Sequence, residues 1–135
     1  MMDASEPEDD EEYRYDPDRD PDPEMWLELD DDERIALVEK QHRAARESLT
    51  NLGAHALFHT IVENQIAIGI PHVVATMERL RREGLDRHDA LHAVGSVLAE
   101  FMFELAIPGS KEYAATVNEH YAAALANLSA AKWRA

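Results

Sequence analysis

The chain has 135 residues, a length suited to one domain, and contains no cysteine, which excludes disulfides, thiolate metal sites and cysteine nucleophiles. Its formal charge of −15 lies entirely at the N-terminus: residues 1–33 hold 17 acids against Arg14 and Arg19, and the rest balances 11 acids with 11 bases. That split excludes a uniformly salt-adapted surface, and a body without net positive charge is a poor partner for nucleic acid.

No apolar run reaches the roughly 18–20 residues of a membrane span, and the N-terminus lacks the basic-then-apolar pattern of a signal peptide. A cytoplasmic protein without a membrane partner is therefore expected. Residues 1–24 carry Pro7, Pro17, Pro21 and Pro23 among acids and very little that is apolar. Such a stretch cannot bury enough surface to offset its ordering entropy, so it reads as a disordered acidic tail, with residues 25–135 as the helical domain. The tail serves either as a solubilising device or as an arm for a basic protein partner.

Trp26, Leu27 and Leu29 form the first apolar cluster. Asp30 and Glu33 then match a capping box, with Asp31 and Asp32 at the positive end of the helix dipole. The first predicted helix runs to about Ser48 with the stripe Ile35, Val38, His42, Ala45 and Leu49. Thr50 or Asn51 caps a second helix that extends to Gly69 and buries Phe58, Val62 and Ile66.

Gly69 suits a helix stop and Pro71 the first turn of a third helix, which buries Val73, Val74, Met77 and Leu80 and ends at Gly84. Asp86 caps a fourth helix, about Arg87 to Ala106, with the stripe His88, Leu91, Gly95, Leu98, Met102 and Leu105. Gly95 costs this helix about 1 kcal/mol against alanine, which a close helix crossing would offset. Pro108 and Gly109 break the chain, and Ser110 caps a last helix to about Lys132, its apolar side formed by Tyr113, Val117, Tyr121, Ala124, Leu125 and Leu128. No alternating strand pattern intervenes, so the expected fold is all-α, a compact bundle of about five helices. The alanine-rich face of the last helix (Ala114, Ala122, Ala123, Ala126) is suited to close packing in a homo-oligomer.

Chemistry concentrates in the histidines. His55, His59 and Glu63 share one face of the second helix, and His88 and His92 repeat the i, i+4 spacing on the fourth. In an up-down bundle the second and fourth helices run the same way, which levels both pairs at one end, where the first helix delivers His42. His72 starts the third helix at the opposite end and His120 lies on the edge of the last stripe, so both are left out.

The expected metal site is thus His42, His55, His59, Glu63, His88 and His92, with Asn64 and Asp89 as orienting groups. Asp89 becomes a ligand instead if the start of its helix is rotated. A shell rich in imidazole and poor in carboxylate selects a transition metal, with zinc, iron or nickel favoured and one or two ions per chain. An ion with an open position would activate water, with Glu63 as base if it is not itself bound. The alternatives are a metal-free polar cluster bonded to Glu63, Asn64 and Gln65, and an interaction module that works through its acidic arm. Nothing in the pattern decides whether the chain is an enzyme.

The stretches Trp26-Leu27 with Leu29-Asp30, Leu37-Val38-Glu39 with His42-Arg43, His55-x3-His59-x2-Val62-Glu63-Asn64-Gln65-Ile66-Ala67, and Arg79-Leu80-x2-Glu83-Gly84-Leu85-Asp86-Arg87-His88-x-Ala90-x-His92-Ala93 occur in this order. Over about half the chain this resembles a family of small prokaryotic helical proteins known as a domain of unknown function. The resemblance implies a compact helical domain and no particular activity. His88-Asp89 downstream of an earlier histidine is also similar to the HD-type metal phosphohydrolases, whose pattern needs a further aspartate that this chain lacks after Asp89.

Overall fold

A computed structural model describes residues 14–44, 52–105 and 111–134, with side chains described over 14–43, 54–102 and 118–134. Seven helices and no strand occur among them: α1 (Pro23–Glu28), α2 (Asp31–Ala44), α3 (Leu52–Ile68), α4 (Pro71–Arg82), α5 (Arg87–Leu105), α6 (Lys111–Asn127) and α7 (Ala130–Arg134). Five are the expected helices, and α1 and α7 are short additions at either end. The expected caps at Thr50, Asn51 and Ser110, and the break at Pro108-Gly109, lie outside the described residues.

Local chemistry accounts for the boundaries. Asp22 accepts from the Glu24 N–H while Pro23 supplies the first residue of α1. Asp30 and Glu33 exchange side chain–backbone bonds of 2.8 and 2.9 Å, the capping box expected of α2. Gly69 and Gly84 take φ of +87° and +109°, left-handed conformations that let α3 and α4 stop. Asp86 caps α5 by accepting from the Asp89 N–H.

The last helix does not run through to Lys132. It ends at Asn127, and Ser129 restarts the chain as α7 by accepting from the Lys132 N–H at 3.1 Å. Glu83 accepts from the Ala130 N–H at 2.9 Å and so ties α7 to the end of α4.

Two packed groups hold the helices together. The larger joins Val62 of α3, Val73, Met77 and Leu80 of α4, Leu91, Val94 and Leu98 of α5, and Tyr121 and Leu125 of α6. The smaller joins Tyr15, Trp26, Val38 and Ala56, with Ala67 packed against it, so that α1 and α2 lie along α3. Met102, expected on the buried stripe of α5, is 41% exposed. No described helix is long and apolar enough to cross a membrane.

The expected tail boundary at residue 24 moves. Residues 14–22 lie against the domain: Tyr15 is 5% exposed, and Pro17 and Asp20 bond to Arg87. The physical reason is a buried guanidinium that needs acceptors which the helices alone do not supply. Residues 1–13 lie outside the described residues.

Candidate metal centre

His42 sits near the end of α2, His55 and His59 in the first turns of α3, and His92 in the second turn of α5. One ring nitrogen from each falls within 4.8 Å of all the others. His55 Nε2 is 3.0 Å from both His42 Nε2 and His92 Nε2. His88 joins as a fifth ring, with its centroid 4.2 Å from that of His92 and 5.3 Å from that of His59. Five of the six predicted residues are therefore together. His72 instead lies edge-on to Tyr121, and His120 is exposed.

His55 meets His92, His59 stacks on His88, Glu63 meets Arg87, and Val62 lies against Gly95. An i, i+4 pair occupies only about 6 Å of helix, so both pairs reach the crossing of α3 and α5.

Outer hydrogen bonds orient the rings. His42 Nδ1 is 2.8 Å from the Val38 carbonyl oxygen, which can only accept, so Nδ1 carries the proton and Nε2 the lone pair. On His59 the same logic runs through Tyr15. The Tyr15 hydroxyl donates to Glu63, so its oxygen accepts from His59 Nε2–H at 2.7 Å. His59 Nδ1 is left as a buried lone pair without a partner, and His88 Nε2 is likewise buried and unpartnered. Ligating histidines characteristically donate their other N–H to a backbone carbonyl or to a polar chain of this kind.

Electrostatics keep His92 and His59 neutral. Burial, reinforced by the neighbouring imidazoles, pushes His92 down to about 3, against an Asp86 charge that acts the other way. Burial pushes His59 lower still, with His92, His42, His88 and His55 adding to the effect. Neutral imidazole is the form that binds a metal.

Glu63 does not join the rings. Its two oxygens accept from Arg87 Nη1 and Nη2 at 2.8 and 2.9 Å, and one of them also takes the Tyr15 proton. Arg87 is 1% exposed and completes its donors with Asp20 at 2.8 Å and the Pro17 carbonyl at 2.9 Å. Burial pulls the Arg87 pKa down, but the Glu63 bonds and charge outweigh it and hold the guanidinium protonated. Burial, with the Glu63 charge, raises the Tyr15 phenol well above its ordinary value, so it remains a donor.

The other expected orienting groups are elsewhere. Asn64 accepts from Trp26 Nε1 and Arg34, Gln65 accepts from Tyr121, and Asp89 is exposed. Sequence reasoning missed Arg87 and Tyr15. The available signals were a cation at the first position of a helix, where the dipole disfavours it, and tyrosine in an otherwise polar tail.

Comparison with family models, with curated proteins and with solved structures finds no match. The chemistry of the cluster therefore carries the functional reading.

Proposed function

We propose that the domain binds a transition metal through His42, His55, His59 and His92, with His88 as a neighbour able to complete the shell. The observation that carries this is the convergence of four ring nitrogens, with the opposite N–H already committed on His42 and His59. A ring nitrogen presents one proton or one lone pair in its plane, so His55 Nε2 can serve only one of its two 3.0 Å neighbours by a linear hydrogen bond. Nitrogens bound at about 2.0–2.1 Å to a tetrahedral ion lie about 3.3–3.4 Å apart, near the two 3.0 Å spacings at His55, and the four donors all lie within 4.8 Å of one another.

The donor set is nitrogen only, which selects zinc, iron, nickel, cobalt or copper over magnesium and calcium. Glu63 serves as an outer support through Tyr15. An ion that adds a fifth ligand beside these four nitrogens would act on it as a Lewis acid.

Metal analysis of the untagged protein, after exposure to each ion and desalting, tests the reading. About one equivalent of at least one ion is expected, together with a raised unfolding midpoint. Less than about 0.2 equivalents of every ion, without stabilisation, would sink it. His59→Ala and His92→Ala should each abolish tight binding.

A further inference from the structure

A cavity of about 290 Å³ opens onto the cluster, with His55, His59 and His92 forming one wall. The remaining walls are Phe58, Leu91, Ala99 and Trp133, with Gly95 and Ser96 between them. Ser96 donates its hydroxyl to the Ala93 carbonyl at 2.8 Å, so the polar side chains lining the cavity with a nitrogen to offer are the imidazoles and the Trp133 indole. An apolar chamber ending in a few convergent polar groups is the usual form of a small-molecule site, here at the lower end of the common range of about 300–1,000 Å³.

Gly95 supplies an independent observation. A glycine within a helix costs roughly 0.5–1 kcal/mol relative to alanine. Packing does not demand it, because an added Cβ meets only Val62 Cγ2, at 3.9 Å, which is ordinary contact. The absent side chain instead leaves the cavity open beside His92. His59 contributes a further sign, a lone pair on a ring 3% exposed, in the wall of the same cavity.

We infer that this cavity binds a small, uncharged, largely apolar molecule that meets the metal through a single donor atom. The inference rests on the metal reading and names the ligand class of that same site. A charged tail is disfavoured away from the ion, where Phe58, Leu91, Ala99 and Trp133 provide no counter-ion. The volume excludes large substrates, and Phe58 and Trp133 offer ring faces to a flat one.

Cobalt-loaded protein tests this, because visible cobalt bands report metal occupancy and the addition of a fifth ligand separately. The probes are 4-ethylpyridine and isonicotinate, which share a donor nitrogen and differ in the tail. Saturable band changes with 4-ethylpyridine at least about tenfold tighter than with isonicotinate are expected. Gly95→Leu should keep the cobalt bands and weaken 4-ethylpyridine at least about tenfold. Ala99→Leu fills the same cavity from the next turn and serves if Gly95→Leu misfolds. Equal affinities for the two probes, or an unchanged affinity in the filled variants, overturns the ligand site and leaves the metal reading standing. Absence of cobalt bands in the unsubstituted protein overturns both.

Discussion

Tyr15 and His59, 44 positions apart in sequence, meet through a 2.7 Å hydrogen bond that fixes which nitrogen of the imidazole carries its proton. The bond has a direction only because Tyr15 gives its own proton to Glu63. Tyr15→Phe keeps the ring packed on Trp26 and removes the hydroxyl alone. The His59 N–H and one Glu63 lone pair then lose a buried partner, a cost of about 1–3 kcal/mol. Metal affinity should fall about 10–100-fold, the usual effect of removing a group that orients a ligand. Urea denaturation and competition with a chelator measure the two effects; unchanged affinity would reduce Tyr15 to a packing residue.

Arg87 and Glu63 form a fully buried ion pair, at 1% and 0% side-chain exposure. Removing one partner leaves an uncompensated charge, so Arg87→Met should destabilise by about 3–5 kcal/mol. The double variant Glu63→Leu with Arg87→Met removes both charges and should recover much of that loss. It should also still bind about one equivalent of metal, since no Glu63 oxygen faces the rings. Loss of metal from a folded double variant would restore Glu63 to the ligand set.

The helices were legible because their ends are local. Asp30 with Glu33, Gly69 before Pro71, Gly84 and Asp86 are all resolved by neighbours a few residues away. The cluster was legible because i, i+4 histidines share a face wherever the helix goes. Which ring of α3 meets which of α5 was not, since two short turns at Gly69 and Gly84 set a crossing that periodicity does not encode. Residues 14–22 were illegible for another reason. Their composition describes a chain without a partner, and the partner is Arg87, some 70 residues downstream. Glu63 was misplaced by the same contact: its spacing put it on the histidine face, and Arg87 draws it away.

Acid should unfold the metal-free protein early. His92 is held down to about 3 and His59 lower, whereas both approach about 6.5 in the unfolded chain. The unfolded state therefore takes up protons first as the pH falls. The stability contributed by keeping the rings neutral is complete above about pH 6.5 and is lost progressively toward pH 3. Between pH 6.5 and 5 the two groups together should cost on the order of 2–3 kcal/mol, after allowance for partial exposure of His92. Denaturation midpoints across pH 4.5–8 test this, and a flat profile below pH 6 would show the rings protonated in the folded protein. Saturating metal should move the onset to lower pH by binding the neutral rings.

Gly95 separates stability from function in one substitution. Gly95→Ala places a methyl 3.9 Å from Val62 Cγ2, a contact that demands no movement. The helix gains propensity and the unfolded chain loses freedom, so the variant should be more stable by about 0.5–1 kcal/mol. Metal stoichiometry should not change, because no ring nitrogen is displaced. The small cavity beside His92 should shrink, and any apolar ligand that needs its full volume should bind more weakly. Urea midpoints and metal content read the first two effects directly. Destabilisation by Gly95→Ala would mean that the α3–α5 crossing is tighter than the 3.9 Å contact allows, and that close packing keeps the glycine.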